Sequence, residues 1–151
     1  MSGAPPTSTY VNESIVIHAP VAKVWHLIKL QDFSKWYSAL ASSSVAKNIS
    51  DEVTDSAIWK FKDGHQLTVK QEEHSAINHS ITYSVVEAEP ALTYHSVLST
   101  ITVSPVTTGP SEGSSYVTWS GSFSSDADAG VIADASYKRK EALADLAKAV
   151  A

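Results

Sequence analysis

The middle of the chain is a series of short β-prone segments joined by connections too short to contain a helix. The segments are residues 43–49, 54–62, 65–73, 78–88, 92–104 and 114–124. Parallel strands need a crossover of about a dozen residues or more, and the breaks at Asp63-Gly64, Glu89-Pro90 and 105–113 are shorter than that. The sequence therefore predicts an antiparallel meander.

The Asp-Gly pair in Lys62-Asp63-Gly64-His65 is the strongest local signal of the chain. Asp and Gly accept the positive φ angles of a two-residue hairpin turn, so we expect a type I′ turn here. The turn would join the second and third of the six segments.

Two short helices are predicted before the meander. A first strand over Tyr10–His18 ends at Ala19-Pro20, and an apolar stripe at positions 21, 24, 25 and 28 then predicts a helix. Asp32 is expected to cap a second short helix that contains Phe33, Trp36 and Tyr37. The connection between these helices is too short to separate them.

A long C-terminal helix is predicted over about residues 127–150. Its segment is rich in Ala, Leu, Lys, Glu and Asp. Its predicted buried stripe is Ile132, Ser136, Arg139, Leu143, Leu146 and Val150. Together these elements predict an α+β domain with a seven-stranded antiparallel sheet, two short helices after strand 1 and a long C-terminal helix.

The length and composition predict one soluble domain. A chain of 151 residues with 43% hydrophobic content has enough apolar side chains for one core, so we expect a single domain over 10–151 after a flexible segment over 1–9. No apolar run has the roughly 18 residues of a membrane helix, and the N-terminus does not resemble a secretory signal, so we expect a cytoplasmic protein. A net charge of −5 and a single arginine argue against nucleic-acid binding.

The order of elements and several short motifs resemble the START/Bet v 1-like (SRPBCC) superfamily, which includes birch-pollen-type allergens, plant abscisic acid receptors and polyketide cyclases. The similarity covers about residues 10–150 and is greatest to the polyketide cyclase/dehydrase-like branch. The motifs are Ile17-His18-Ala19-Pro20, Val24-Trp25, Trp36, Trp59 with Asp63-Gly64, Ile81-Thr82-Tyr83-Ser84-Val85-Val86, and Val117-Thr118-Trp119-Ser120-Gly121.

The resemblance implies a helix-grip fold, in which the sheet wraps around the C-terminal helix and leaves a cavity for a small, largely apolar ligand. In two places the sequence departs from these relatives. Ala57 or Ile58 stands where many polyketide-cyclase-like members carry a basic residue, and the gate loop of the hormone receptors is shortened around residues 87–91. Only the cavity and the general ligand class are therefore transferred.

Aromatic side chains with polar tips are suited to a cavity wall: any single ring is more simply explained by core packing, whereas the group as a whole favours a cavity, because buried hydroxyl and indole N–H groups need partners. Alternation places Trp59 with Phe61, and Trp119 with Phe123, on inward faces. For residues 92–104 the alternation is ambiguous between the sets that contain Ser96 and Val97, and resemblance to the hormone receptors favours Tyr94 and Ser96 inward. The expected ligand-binding residues are Trp36, Tyr37, Trp59, Phe61, Tyr83, Tyr94, Ser96, Leu98, Trp119, Phe123, Ser136 and Arg139.

Arg139 has two interpretations. Within the predicted stripe its guanidinium would bind a ligand carboxylate or phenolate through two hydrogen bonds. A shift of the stripe by one residue would instead direct it outward to solvent.

The sequence contains no recognised metal, cofactor or nucleophile motif. Six histidines are present without the spacing of a metal site, so we expect no metal. Cysteine is absent, as are the nucleotide and hydrolase fingerprints, so we expect no cofactor and cannot assign a catalytic residue, with His95 as the one histidine considered as a general base.

Three functions are compatible with the sequence. The first is binding of a small hydrophobic or amphipathic molecule, such as a lipid, phenolic or polyketide-like compound, for transport, storage or sensing. The second is a cyclase or dehydratase that uses the same cavity, and the third is a protein-interaction module. The sequence does not determine the oligomeric state.

Overall fold

The computed structural model describes residues 8–48 and 54–151. The strands are β1 Tyr10–Ile17, β2 Leu40–Asn48, β3 Thr54–Phe61, β4 Gln66–Ser75, β5 Ser80–Glu89, β6 Val97–Pro105 and β7 Ser115–Phe123. The helices are α1 Val21–Trp25 and α2 Ala129–Ala149, with a 3-10 helix over Leu30–Lys35. Residues 1–7 of the predicted flexible segment, and residue 49 at the end of a predicted strand, lie outside the described residues.

All seven strands belong to one antiparallel sheet with the order β1-β7-β6-β5-β4-β3-β2. Strands β2 to β7 form the predicted meander. The first strand pairs with the last, from Tyr10 opposite Ser122 to Ile17 opposite Ser115. This α+β arrangement of a seven-stranded antiparallel sheet and a long C-terminal helix is the predicted helix-grip fold.

The turn between β3 and β4 differs from the predicted type I′ turn. Gly64 has a φ of 95°, whereas Asp63 keeps a negative φ. The Gly64 N–H donates to the Phe61 carbonyl at 3.1 Å, and the Phe61 N–H donates to the His65 carbonyl at 2.8 Å. The turn is therefore of type I with glycine in the left-handed position that follows it, which is the usual three-residue hairpin connection.

The two short helices differ from the prediction in their ends. Helix α1 stops at Trp25, and the second helix is a 3-10 helix that begins at Leu30, so Asp32 lies within it and does not cap it. The Asp32 carboxylate pairs with Lys35 at 3.3 Å. A pattern of apolar residues does not distinguish a 3-10 turn from the start of an α-helix.

Strand β6 begins later than the predicted segment 92–104. Its buried side chains are Val97, Ser99, Ile101 and Val103, and Leu98 is 46% exposed on the opposite face. The expectation that Ser96 and Leu98 face inward is therefore wrong. A one-residue shift along a strand moves every side chain to the other face, and residues 92–96 form a loop in which alternation has no meaning.

Helix α2 begins at an N-cap, where the Asp128 carboxylate accepts a hydrogen bond from the Val131 N–H at 2.9 Å. The buried residues of α2 are Ala135, Arg139, Ala142, Leu143 and Leu146. The predicted positions Ile132 and Ser136 are only half-buried, because the stripe is rotated toward Ala135. Within residues 8–48 and 54–151, no helix has both the length and the apolar character needed to cross a bilayer.

The buried side chains form two hydrophobic clusters. The larger one contains the aromatic rings of the 3-10 helix and the central strands, among them Phe33, Trp59 and Trp119. The smaller one contains Val97 and Phe123 together with residues of β1 and α2. The core is therefore divided, and the cavity described next is lined by members of both clusters.

Candidate ligand-binding cavity

A cavity of about 440 Å³ lies between the sheet and helix α2. Its floor consists of buried side chains from β3, β5, β6, β7 and α2, whereas its rim consists of half-buried and exposed residues. The rim includes His65 after the β3–β4 turn, the loop 89–94 between β5 and β6, and Asp134 and Lys138 on α2. The cavity therefore has a buried, mostly apolar floor that also contains Ser99 and Arg139, and a polar mouth, as small-molecule sites commonly do.

Aromatic rings form most of the inner wall. Trp59 stacks on Phe33 with ring centres 4.7 Å apart, and Tyr83 contacts Trp59 edge to face at 5.4 Å. At the other end of the cavity Tyr94 contacts Phe123 at 5.3 Å. Edge-to-face and stacked pairs of this kind are the favoured geometries of aromatic contacts, so the rings of the wall pack in defined orientations.

Two of the indole N–H groups bind the backbone of the short helical segments. The Trp36 Nε1–H donates to the Leu27 carbonyl at 2.9 Å, and the Trp59 Nε1–H donates to the Leu30 carbonyl at 2.7 Å. The Trp59 bond ties the 3-10 helix to strand β3, and the Trp36 bond ties the end of that helix to the segment that follows α1. The Trp119 Nε1–H instead donates to the Tyr83 hydroxyl at 3.1 Å, which places a polar contact inside the wall.

Arg139 is buried in the wall of this cavity, at 9% exposure. Its Nη1 donates to the Ala135 carbonyl at 3.2 Å, and its Nη2 donates to the Ser99 hydroxyl at 3.0 Å. The guanidinium carbon lies 5.7 Å from the ring centres of Trp119 and of Phe123. The buried Nε–H has no hydrogen-bond partner among the described residues.

Gly121 provides the space that the guanidinium occupies. A Cβ atom at this position would lie 2.5 Å from Nη2 and 3.1 Å from Cζ of Arg139. It would also lie 3.0 Å from Cε1 of Phe123. Any side chain at this position of β7 would therefore force the guanidinium to shift from where it lies against the sheet.

Burial raises the pKa of each of the Tyr37, Tyr83 and Tyr94 hydroxyls above the ordinary value for tyrosine, because a phenolate loses solvation inside the protein. The positive charge of Arg139 opposes this increase in all three. At neutral pH these tyrosines are therefore uncharged, and each keeps a hydroxyl proton that can be donated in a hydrogen bond.

Most of the sequence-predicted site residues line the cavity: Tyr37, Trp59, Phe61, Tyr83, Tyr94, Trp119, Phe123 and Arg139. Arg139 thus faces inward. The others lie elsewhere. Trp36 is buried behind the wall against Phe33 and Tyr37, and Ser136 donates to the Glu13 carboxylate at 2.7 Å.

Ser96 and Leu98 also lie outside the cavity. Ser96 is exposed, and its N–H donates to the Ser124 hydroxyl at 2.9 Å. Leu98 lies on the outer face of the sheet.

Several cavity residues were not predicted. Ser99 was missed because the inward face of β6 was assigned to the wrong set of side chains. The loop residues Pro90, Ala91 and Leu92 carry no pattern that indicates a cavity rim. In the register of β6, Ser99 lies on the buried face with Val97 and Ile101, opposite Gly121 of β7.

The histidines do not converge on the floor of the cavity. His95 is exposed and does not line it, and its N–H donates to the Asp126 carboxylate at 2.9 Å. His65 on the rim contacts the Asp63 carboxylate at 3.0 Å. In the described part of the chain, no group of three or more His, Cys, Asp or Glu residues is arranged to hold a metal ion.

Solved structures with the same fold come from several bacteria. XoxI from Bacillus cereus has a TM-score of 0.78 at 23% identity, covering 94% of this chain and 95% of that one. A protein from Nitrosospira multiformis has a TM-score of 0.73 at 25% identity, with 94% and 96% covered. A START superfamily protein from Mycobacterium smegmatis has a TM-score of 0.68 at 10% identity, with 93% of each chain covered.

The search of curated proteins found no match. A family model described as "Polyketide cyclase / dehydrase and lipid transport" matches residues 8–151, nearly the whole chain. This match and the START-type fold agree with the resemblance seen in the sequence. The chain therefore belongs to the polyketide cyclase/dehydrase and lipid transport family of the SRPBCC superfamily.

Proposed function

We infer that this protein binds a small hydrophobic or amphipathic molecule in the cavity, for transport, storage or sensing. The observation that carries the proposal is the divided core, in which an aromatic wall borders about 440 Å³ of space beneath α2. Concave, mostly apolar spaces of this size with a few polar groups are the usual form of small-molecule sites.

The energetics of burial support binding of moderate strength. Removing roughly 300 Å² of apolar ligand surface from water at about 25 cal/mol per Å² contributes about 7.5 kcal/mol. The loss of translational and rotational freedom opposes this by about 4 kcal/mol or more. Apolar contact alone therefore gives weak affinity, and polar groups of the wall are needed for selectivity.

The test is native mass spectrometry of the protein purified from its own source, together with thermal shifts across a panel of lipids, phenolics and polyketides. We expect a co-purifying small molecule that denaturation releases. A clean apo mass without any thermal shift in the panel would contradict the proposal and favour the protein-interaction module.

Matched variants on α2 assign the binding to this cavity. Ala135 is buried and lines the cavity, whereas Ala133 is exposed on the same helix. Ala135→Leu should fill the space and abolish binding, and Ala133→Leu should leave it unchanged. Equal binding by both variants would place the ligand elsewhere.

A second candidate, a cyclase or dehydratase, is favoured by one observation. The hydroxyls of Tyr37 and Tyr83 and the guanidinium of Arg139 are buried in the same wall, so a reactive carbonyl could meet several hydrogen-bond donors there. Incubation with a linear polyketone, followed by product mass analysis, tests it. Turnover that Tyr83→Phe abolishes without loss of binding would support the enzyme.

The remaining predictions concern location and partners. A cytoplasmic location and the absence of nucleic-acid binding stay predictions, supported by the net charge of −5 in the second case. Separation of the protein on immobilised polyanion and polycation columns at low salt would test the charge argument.

A further inference from the structure

Arg139 is a buried cation without a carboxylate partner in the described part of the chain. The ion pairs there join Asp32 with Lys35, Asp63 with His65, Lys70 with Glu72, and Asp134 with Lys138. Its two hydrogen bonds go to neutral acceptors, a backbone carbonyl and the Ser99 hydroxyl. A guanidinium has five N–H donors, so most of its capacity is unused, including the buried Nε–H.

The nearby phenols do not supply the missing negative charge. Tyr37, Tyr83 and Tyr94 all lie close enough to feel the charge of Arg139, yet the pKa of each is raised by burial. They are therefore neutral at physiological pH. An unpaired charge in a poorly solvated site is costly, and proteins normally pair such charges or use them to bind.

The position of the guanidinium is constructed by several elements of the fold. Gly121 leaves the space, Ser99 and the Ala135 carbonyl hold two nitrogen atoms, and the rings of Trp119 and Phe123 flank the carbon at 5.7 Å. These contacts fix a rigid, planar donor at the floor of the cavity. A solvated surface arginine would need none of them.

We propose that the cavity selects an amphipathic monocarboxylate, with its carboxylate on Arg139 and its apolar body along the aromatic wall. This inference rests on the proposed function and specifies its ligand class. A planar carboxylate matches the donor fork of a guanidinium, and a single cation balances a single negative charge. Lys138, the lysine that lines the cavity, lies on the rim and already pairs with Asp134 at 2.9 Å.

The test compares decanoate with decan-1-ol, which share the apolar chain and differ in the charge of the head group. Isothermal titration calorimetry near neutral pH should show that the wild-type protein binds decanoate at least about tenfold more tightly, as expected for charge-assisted hydrogen bonds. Decyl phosphate, a more highly charged head group on the same chain, should bind less tightly than decanoate.

Arg139→Met should remove the preference for decanoate and leave the affinity for decan-1-ol within about threefold. Lys140→Met is the matched control, because Lys140 is an exposed cation on the same helix, and it should keep the wild-type preference. Arg139→Lys retains the charge without the planar fork and should reduce the preference only in part.

Several results would overturn the inference. Equal affinity of the wild-type protein for decanoate and decan-1-ol would refute it while leaving the proposed function intact, and this measurement needs no variant. An unchanged preference in Arg139→Met would refute it as well. Binding of neither probe would contradict this ligand class, and the panel of lipids, phenolics and polyketides then decides the proposed function separately.

Discussion

The contact between Gly121 and Arg139 predicts the effect of adding one methyl group to the protein. In Gly121→Ala the new Cβ would lie 2.5 Å from Nη2, whereas ordinary contacts begin near 3.4 Å. The neighbouring Phe123 ring, at 3.0 Å, limits relief in the other direction. The guanidinium must therefore move and lose its 3.0 Å bond to Ser99.

The magnitude follows from three contributions to the free energy of unfolding. Overpacking costs about 1–3 kcal/mol, and the lost hydrogen bond of a charged donor costs about 1.5–3 kcal/mol. Restriction of the unfolded chain by alanine offsets about 0.4–1 kcal/mol. We therefore expect Gly121→Ala to lower the free energy of unfolding by about 2–5 kcal/mol.

Urea denaturation of the wild type, Gly121→Ala, Arg139→Met and the double variant tests this prediction. In an Arg139→Met background the flexible methionine can move aside, so the cost of Gly121→Ala should fall below about 1 kcal/mol. Ser122→Ala on the outer face of β7 is the control and should change stability by less than about 0.5 kcal/mol. An equal cost of Gly121→Ala in both backgrounds would refute the argument, since the methyl group would then collide with something other than the guanidinium.

Three further predictions use the same denaturation assay. The pKa of Tyr37 and of Tyr83 is raised in the folded state, so their contribution to stability is complete below about pH 10 and is lost at higher pH. The free energy of unfolding should fall by at most about 1.4 kcal/mol per pH unit for each phenol. Tyr83→Phe should reduce this dependence on pH, and an unchanged dependence would contradict the prediction. Ser99→Ala removes the acceptor of Nη2 and should cost about 1.5–3 kcal/mol. Trp59→Phe leaves the Leu30 carbonyl unpaired and should cost at least about 1 kcal/mol; wild-type stability in either variant would show that the bond contributes nothing.

The fold was predictable because it depends on patterns that repeat. In a half-buried strand every second side chain faces the core, so Trp59 and Phe61, and likewise Trp119 and Phe123, could be assigned to one face. Short connections excluded parallel strands. The pairing of β1 with β7 was not predictable in the same way, because no local sequence pattern indicates which strand will pair with which across such a distance in the chain.

The candidate site was predictable only in part, since its polar residues break the repeating patterns. Residues 92–96 form a loop, so alternation over 92–104 was ambiguous, and the resemblance to the hormone receptors favoured Ser96 inward, whereas Ser99 is the buried serine. On α2 the rotation of the buried stripe decides whether Arg139 faces the cavity or the solvent. Its neighbours Lys138 and Lys140 are exposed, and a run of three basic residues in the sequence is typical of a solvent-facing surface. Gly121 lies on β7 and Arg139 on α2, and no local pattern relates a strand position to a helix position, so their fit becomes visible only in three dimensions.

The same tyrosines that suggest catalysis favour binding when their protonation is considered. General acids and bases work best with a pKa near the working pH, and burial moves the pKa of Tyr37 and Tyr83 further above it. The guanidinium of Arg139 has hydrogen-bond donors and no acceptor. The floor of the cavity therefore offers fixed hydrogen-bond donors, and a proton-transfer step would depend on rim residues such as His65 and Glu89. If the protein is an enzyme, His65→Asn or Glu89→Gln should abolish turnover while ligand affinity persists. If it is a binding protein, either change should alter only the rates at which the ligand enters and leaves, and its affinity should stay the same.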